Sequence, residues 1–133
     1  MKEIDVSLVV TSSSFTLDDL SARLGRQHSS GSHNLGEPDI RGESNWSETV
    51  WRLDSGLPST AAVEEHLASI QRRFPPEDLI GVLPEGCRIR FDVALFFDTA
   101  NVGIVLSEKS VNLIHAYGAT LEITAYPSDF GES

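Results

Sequence analysis

Four sets of residues in this chain have the types that chemistry uses. His28 and His33 lie five apart, with Glu37 and Asp39 close behind. Imidazoles and carboxylates at short spacing can hold zinc or a similar ion. Asp92 and Asp98 flank apolar residues on one segment, and two carboxylates can serve as acid and base. Cys87 is the only cysteine, and Ser12-Ser13-Ser14 offers hydroxyls.

Each set has a plainer reading, which the sequence favours. The His28–Asp39 stretch is polar throughout, and five-residue spacing in a loop specifies no metal geometry. Asp98 is placed to begin a turn, Asp98-Thr99-Ala100-Asn101, by bonding backbone amides. Asp92 is placed to pair across strands with Arg52 or Arg90. A single cysteine forms no internal disulfide and no thiolate-only metal site, and a nucleophilic role needs a base beside it. The serines lack the Gly-x-Ser-x-Gly context of a hydrolase elbow. Neither Gly-x-Gly-x-x-Gly nor a Walker sequence is present. His66 falls on an apolar helical stripe, where a hydrogen-bonded, half-buried histidine is the simpler role, and His115 falls at a helix border. The expectation is a protein without catalytic residues, metal or cofactor, and not an enzyme.

Composition agrees with one domain. The chain has 133 residues, 40% hydrophobic and 23% charged, within the range of a single soluble domain with a core of its own. Net charge is −10, from 20 acidic and 10 basic residues. Phosphate binding needs a basic face, so nucleic acid and anionic membranes are disfavoured as partners, while a basic protein is compatible. No apolar run approaches the roughly 20 residues of a membrane span. The start, Met1-Lys2-Glu3-Ile4-Asp5, lacks a signal-peptide pattern, so a cytoplasmic location is expected.

The elements follow from periodicity. Residues 3–11 alternate, with Ile4, Val6, Leu8 and Val10 on one side, which predicts a half-buried strand. Thr16 predicts an N-cap, Phe15 and Leu20 a hydrophobic staple, and Gly25 a C-cap. Residues 26–45 show no period and predict a long polar loop, either functional or mobile. Residues 46–53 predict a strand with Trp51 facing the core and Trp46 on the opposite side, free to touch a partner or ligand. A helix over 60–73 has Val63, His66, Leu67, Ile70 and Phe74 on its stripe, and Pro75-Pro76 ends it. A further helical turn follows at 77–83.

Residues 88–98 and 102–106 predict two strands joined by a tight turn. A helix capped by Ser107 has Val111, Ile114 and Tyr117 as its apolar face, and Gly118 ends it. Residues 120–126 predict a fifth strand with Leu121, Ile123 and Ala125 inward. Residues 127–133 read as a loose tail. The order β-α-loop-β-α-β-β-α-β predicts an α+β fold: one helix-covered mixed or antiparallel sheet of about five strands, a sandwich of the ferredoxin-like kind. The predicted core is Ile4, Val6, Leu8, Leu20, Trp51, Leu53, Leu67, Ile70, Phe91, Val93, Leu95, Ile104, Ile114 and Ile123.

The stretches Trp51-Arg52-Leu53-Asp54-Ser55-Gly56-Leu57, Leu67 to Phe74, Val93 to Asp98, Asn101 to Ser107 and Leu113 to Ile123 resemble a family of small bacterial proteins, domain of unknown function 4279. The resemblance spans nearly the whole chain. It implies a bacterial, single-domain cytoplasmic protein, with no established activity and no catalytic residues to carry over. The family pattern implies a Trp and a basic residue before a Gly within 26–45, where this chain keeps Arg41-Gly42.

On function, the acidic charge and the missing catalytic set point to a non-enzymatic protein-interaction module of immunity or regulatory type. The alternative is a small-molecule-binding module using loop 26–45 and Trp46. Helices on one side of the sheet leave Val9, Val50, Ala94, Phe96, Val105 and Tyr126 on the other, interleaved with Glu48, Arg52, Arg90, Asp92 and Glu122. Such a face calls for a cover: the loop, a protein partner or a second copy as a homodimer. The candidate contact residues are Arg41, Trp46, Arg52 and Phe96.

Overall fold

The computed structural model describes residues 2–98 and 103–127. In chain order the elements are β1 (Lys2–Ser12), α1 (Leu17–Leu24), β2 (Thr49–Asp54), α2 (Val63–Arg73), α3 (Pro76–Val82), β3 (Arg88–Phe97), α4 (Glu108–Ala116) and β4 (Thr120–Pro127). Among the described residues the strands form one open mixed sheet in the order β2-β1-β3-β4. β1 is antiparallel to β2 and to β3, while β3 and β4 run parallel across α4.

The alternation of β1 decides which face is covered. Ile4, Val6, Leu8 and Val10 join Trp51, Leu53, Phe91, Val93 and Leu95 in one buried cluster with Leu20, Leu67, Ile70, Phe74 and Tyr117 from the helical side. The local signals for α1 act as expected. Thr16 Oγ1 accepts from Asp19 N at 3.2 Å, the Asp19 carboxylate accepts from Thr16 N at 3.2 Å, and Gly25 closes the helix at φ 66°. The capping box answers two of the free amides of the first turn, and only glycine takes that left-handed C-cap without strain.

The second half corrects the sequence reading. The expected strand at 102–106 is absent where described: residues 103–106 are irregular, and Val105 is 84% exposed. A strand has two sides for pairing. β1 takes one side of β3 from Lys2 to Thr11, and β4 takes the other along its whole length. No side of β3 remains for 102–106, which becomes the connection into α4. The described sheet therefore has four strands rather than five, and the expected hairpin gives way to a parallel β3-α4-β4 crossover, the unit that parallel neighbours require. The turn expected at 98–101 lies largely outside the described residues.

Two core assignments change with it. Ile104 is only partly buried and Ile123 is 47% exposed. Ile123 does share the helix-side face, opposite Val93, but the helices do not reach over β4. On α4 the buried residues are Ser110, Leu113 and Ile114, and Val111 is exposed. The single amphipathic stripe is shifted from the one expected because α4 packs against α2. There Glu64 accepts from Ser107 N at 3.1 Å and Ser110 Oγ at 2.5 Å.

Candidate functional site

Loop 26–45 is built into the sheet rather than hanging from it. Ser29 N donates to Arg52 O at 2.7 Å; His33 N donates to Val50 O at 2.9 Å, and Val50 N to His33 O at 2.8 Å. Ser32 Oγ and Ser29 Oγ accept from Arg52 N and Asp54 N at 3.0 Å each. These bonds answer the outer edge of β2, where unpaired amides would otherwise face water. Residues 36–46 then double back. Gly36 N donates to Trp46 O at 2.8 Å and Trp46 N to Glu37 O at 2.7 Å. At the tip the Asp39 carboxylate accepts from Arg41 N, Glu43 N and Ser44 Oγ. These bonds hold its pKa below the usual value, Ser44 contributing most.

Trp46 is not on β2 as expected. The strand starts three residues later, and the Trp46 ring stacks on His33 at 4.3 Å between centroids. It is half-buried in the loop's own packing. Arg41 stands exposed at the tip beside Ile40, which is 99% exposed. His28 is bonded to Ser21 Oγ at 3.1 Å and His33 is stacked on Trp46, so the two histidines have separate partners. Among the described residues no three His, Cys, Asp or Glu side chains come together as a metal site.

The sheet face away from the helices carries the charges that the sequence interleaved with its apolar residues, and at one end they form a network. Arg52 and Arg90 flank Val9 in the register, and Asp92 lies one pair along. The Asp92 carboxylate accepts from Arg90 Nε at 2.6 Å and Arg90 Nη2 at 3.3 Å, and it meets Arg52 Nη2 at 3.0 Å. Glu122 stands 3.8 Å from Arg90 Nε. Asp92 thus pairs with both arginines between which the sequence left the choice open. The hydrogen bond that Arg90 donates to Asp92 raises the Arg90 pKa. Val9 is 0% exposed and Val50 6%. Arginine stems can cover apolar surface while their heads stay wet, and the loop lies along β2, so the face needs no separate cover at that end.

The far end is different. Phe96 and Tyr126 stack at 5.0 Å and remain 37% and 48% exposed. They sit against β4, which is exposed on nearly every residue from Thr120 to Pro127. β4 pairs with β3 on one side and with no other strand among the described residues. Of the four candidate contact residues, Arg52 and Phe96 share this face, at opposite ends, and Arg41 and Trp46 belong to the loop. The sequence reading missed the β4 edge. The signal was Thr120-Leu-Glu-Ile-Thr-Ala-Tyr-Pro127, with Glu122 its only charge, which is little protection for an edge strand.

Two buried groups have the types of catalytic residues. Ser55 Oγ and His66 Nδ1 are hydrogen-bonded at 2.5 Å, and Ser55 Oγ also accepts from Leu57 N at 3.2 Å. His66 is 1% exposed and its Nε2 has no hydrogen-bond partner among the described residues. Burial pushes its pKa below 6.5, against the opposing charge of Asp5. With Ser55 4% exposed, the pair joins the turn after β2 to α2, and both residues border a cleft of about 510 Å³ together with Asp5, Ser7, Arg52 and Asp54. Cys87 borders a cleft of about 670 Å³ between α3, the end of α4 and the starts of β3 and β4. Burial pushes its thiol up, which disfavours the thiolate needed for nucleophilic attack.

The fold is α+β, one open mixed sheet with helices packed on one face. The chain belongs to the family described as Domain of unknown function (DUF4279), whose model matches residues 2–128. No curated protein and no solved structure matches it. Among the described residues no helix is long and apolar enough to cross a membrane.

Proposed function

We propose that the protein is a non-enzymatic protein-interaction module, of immunity or regulatory type in the bacterial cytoplasm, which takes an extended segment of its partner along β4. The observation that carries this is the contrast between the two edges of the sheet. The loop occupies the outer edge of β2, while β4 carries eight residues of strand beside the exposed Phe96–Tyr126 pair. Strand addition draws affinity from main-chain hydrogen bonds and specificity from alternate side chains. It asks for an open edge and apolar contacts next to it, and both are supplied at β4.

The test is a pulldown from the native host with tagged wild type and with Ile123→Lys. Ile123 is 47% exposed, so a lysine there leaves the core alone and places a charge on the edge. A specific bound protein retained by wild type and lost by the variant is expected. Recovery of nothing above background, or of the same protein by both, would overturn the proposal.

A further inference from the structure

We infer that the strand received at this edge is β4 of a second copy, paired antiparallel, so that two four-stranded sheets join into one of eight. This rests on the strand-addition reading above and names its partner.

Closure is the first argument. A chain with two open edges would pair without end. Here Ser29–His33 bonds along β2, and β4 is the edge without a pairing strand among the described residues. One open edge among the described residues of each chain makes pairing stop at two copies, through a two-fold interface in which each copy offers the same surface.

Self-complementarity is the second. A two-fold axis at Thr124 sets Glu122 opposite the partner's Tyr126, Ile123 opposite the partner's Ala125, and Thr124 opposite the partner's Thr124. No like charges meet, because Glu122 is the only charged residue of the strand. Thr–Thr and aliphatic cross-strand pairs are favourable neighbours. On the helix side the pairing shields Ile123, which the helices of its own chain leave 47% exposed. On the other side it brings the partner's Glu122 beside Tyr126 of the Phe96–Tyr126 stack. That corner accounts for the aromatic exposure left over when the arginine network and the loop have covered Val9 and Val50.

Charge supplies a signature that separates a second copy from a basic protein. Each copy carries a net −10. Two copies repel at long range, and salt screens that repulsion. Self-pairing therefore tightens as salt rises, whereas binding to a basic partner weakens.

The experiment is sedimentation equilibrium on the full chain at about 50 and about 300 mM NaCl, with Ile123→Lys and Thr124→Lys beside wild type. Circular dichroism checks that each variant is folded, and two variants guard against one failing to fold. Amide exchange of residues 120–127 is followed at low and high protein concentration. The expected result is a wild-type dimer that tightens severalfold at the higher salt. Amides in β4 should gain protection with concentration, and both folded variants should be weakened at least about tenfold. A wild type monomeric up to roughly 1 mM, a dimer that loosens with salt, or a dimer unaffected by both folded lysine variants would overturn self-pairing. A monomeric wild type that still captures a different protein, lost in Ile123→Lys, would overturn self-pairing and leave the strand-addition reading standing.

Discussion

Replacing Asp92 with alanine should cost about 2 kcal/mol. Three contacts would go: Arg90 Nε at 2.6 Å, Arg90 Nη2 at 3.3 Å and Arg52 Nη2 at 3.0 Å. A hydrogen bond to a charged group is worth about 1.5–3 kcal/mol when desolvated. Here the side chains are 20%, 26% and 28% exposed for Asp92, Arg52 and Arg90. Water reaches all three, and the freed guanidiniums can turn outward. That argues against the roughly 3–5 kcal/mol of a fully buried pair. It also argues against the near-zero effect of an exposed one, because Val9 beneath them is 0% exposed and would be uncovered when the stems move. Asp92→Asn keeps the volume and loses the charge, and it should fall at about half the effect. The assay is urea unfolding at neutral pH, with Asp92→Ala, Arg52→Ala and the double variant completing a cycle. A coupling of about 1 kcal/mol is expected, smaller in about 1 M salt. A loss under about 0.5 kcal/mol for Asp92→Ala, the level of an ordinary surface change, would refute the idea that this network covers the sheet.

Other outcomes follow from the core, the buried histidine and the loop. Leu95→Ala should destabilise by about 2–5 kcal/mol in the same assay, since Leu95 is 4% exposed on the helix side; a loss under about 1 kcal/mol would contradict that placement. His66 has a lowered folded pKa, so the unfolded state takes up its proton first as pH falls below 6.5. Urea midpoints between about pH 8 and pH 5 should therefore decline on the acid side, and His66→Gln should flatten that decline; an unchanged slope would assign the acid sensitivity elsewhere. Limited trypsin digestion should cut first after Arg41, at the exposed tip next to Ile40. First cuts within 60–74 or 88–98 would show that the tip is better protected than the helices and strands.

Sequence alone determined the elements whose signals are local. The alternation of β1 separated Ile4, Val6, Leu8 and Val10 from the other face, because successive side chains of a strand point opposite ways. Thr16, Gly25 and Ser107 marked helix ends, because a cap is settled by the few residues around it. The parity of Trp51 and of β3 from Ile89 to Leu95 was legible for the same reason. What tertiary structure decided were the competitions between distant segments. Residues 102–106 and 120–126 both read as strands, and only the ladder along β3 determined that β4 pairs there. Whether Ile123 is buried depends on how far the helices reach, which no period encodes. Loop 26–45 has no pattern of its own because its order is borrowed: its amides bond to Val50 and Arg52, and its tryptophan stacks on His33. The candidate interface is legible only in the fold for the same physical reason. An open edge is a property of which strand lies outermost, and the order β2-β1-β3-β4 is set by pairings between residues far apart in the chain.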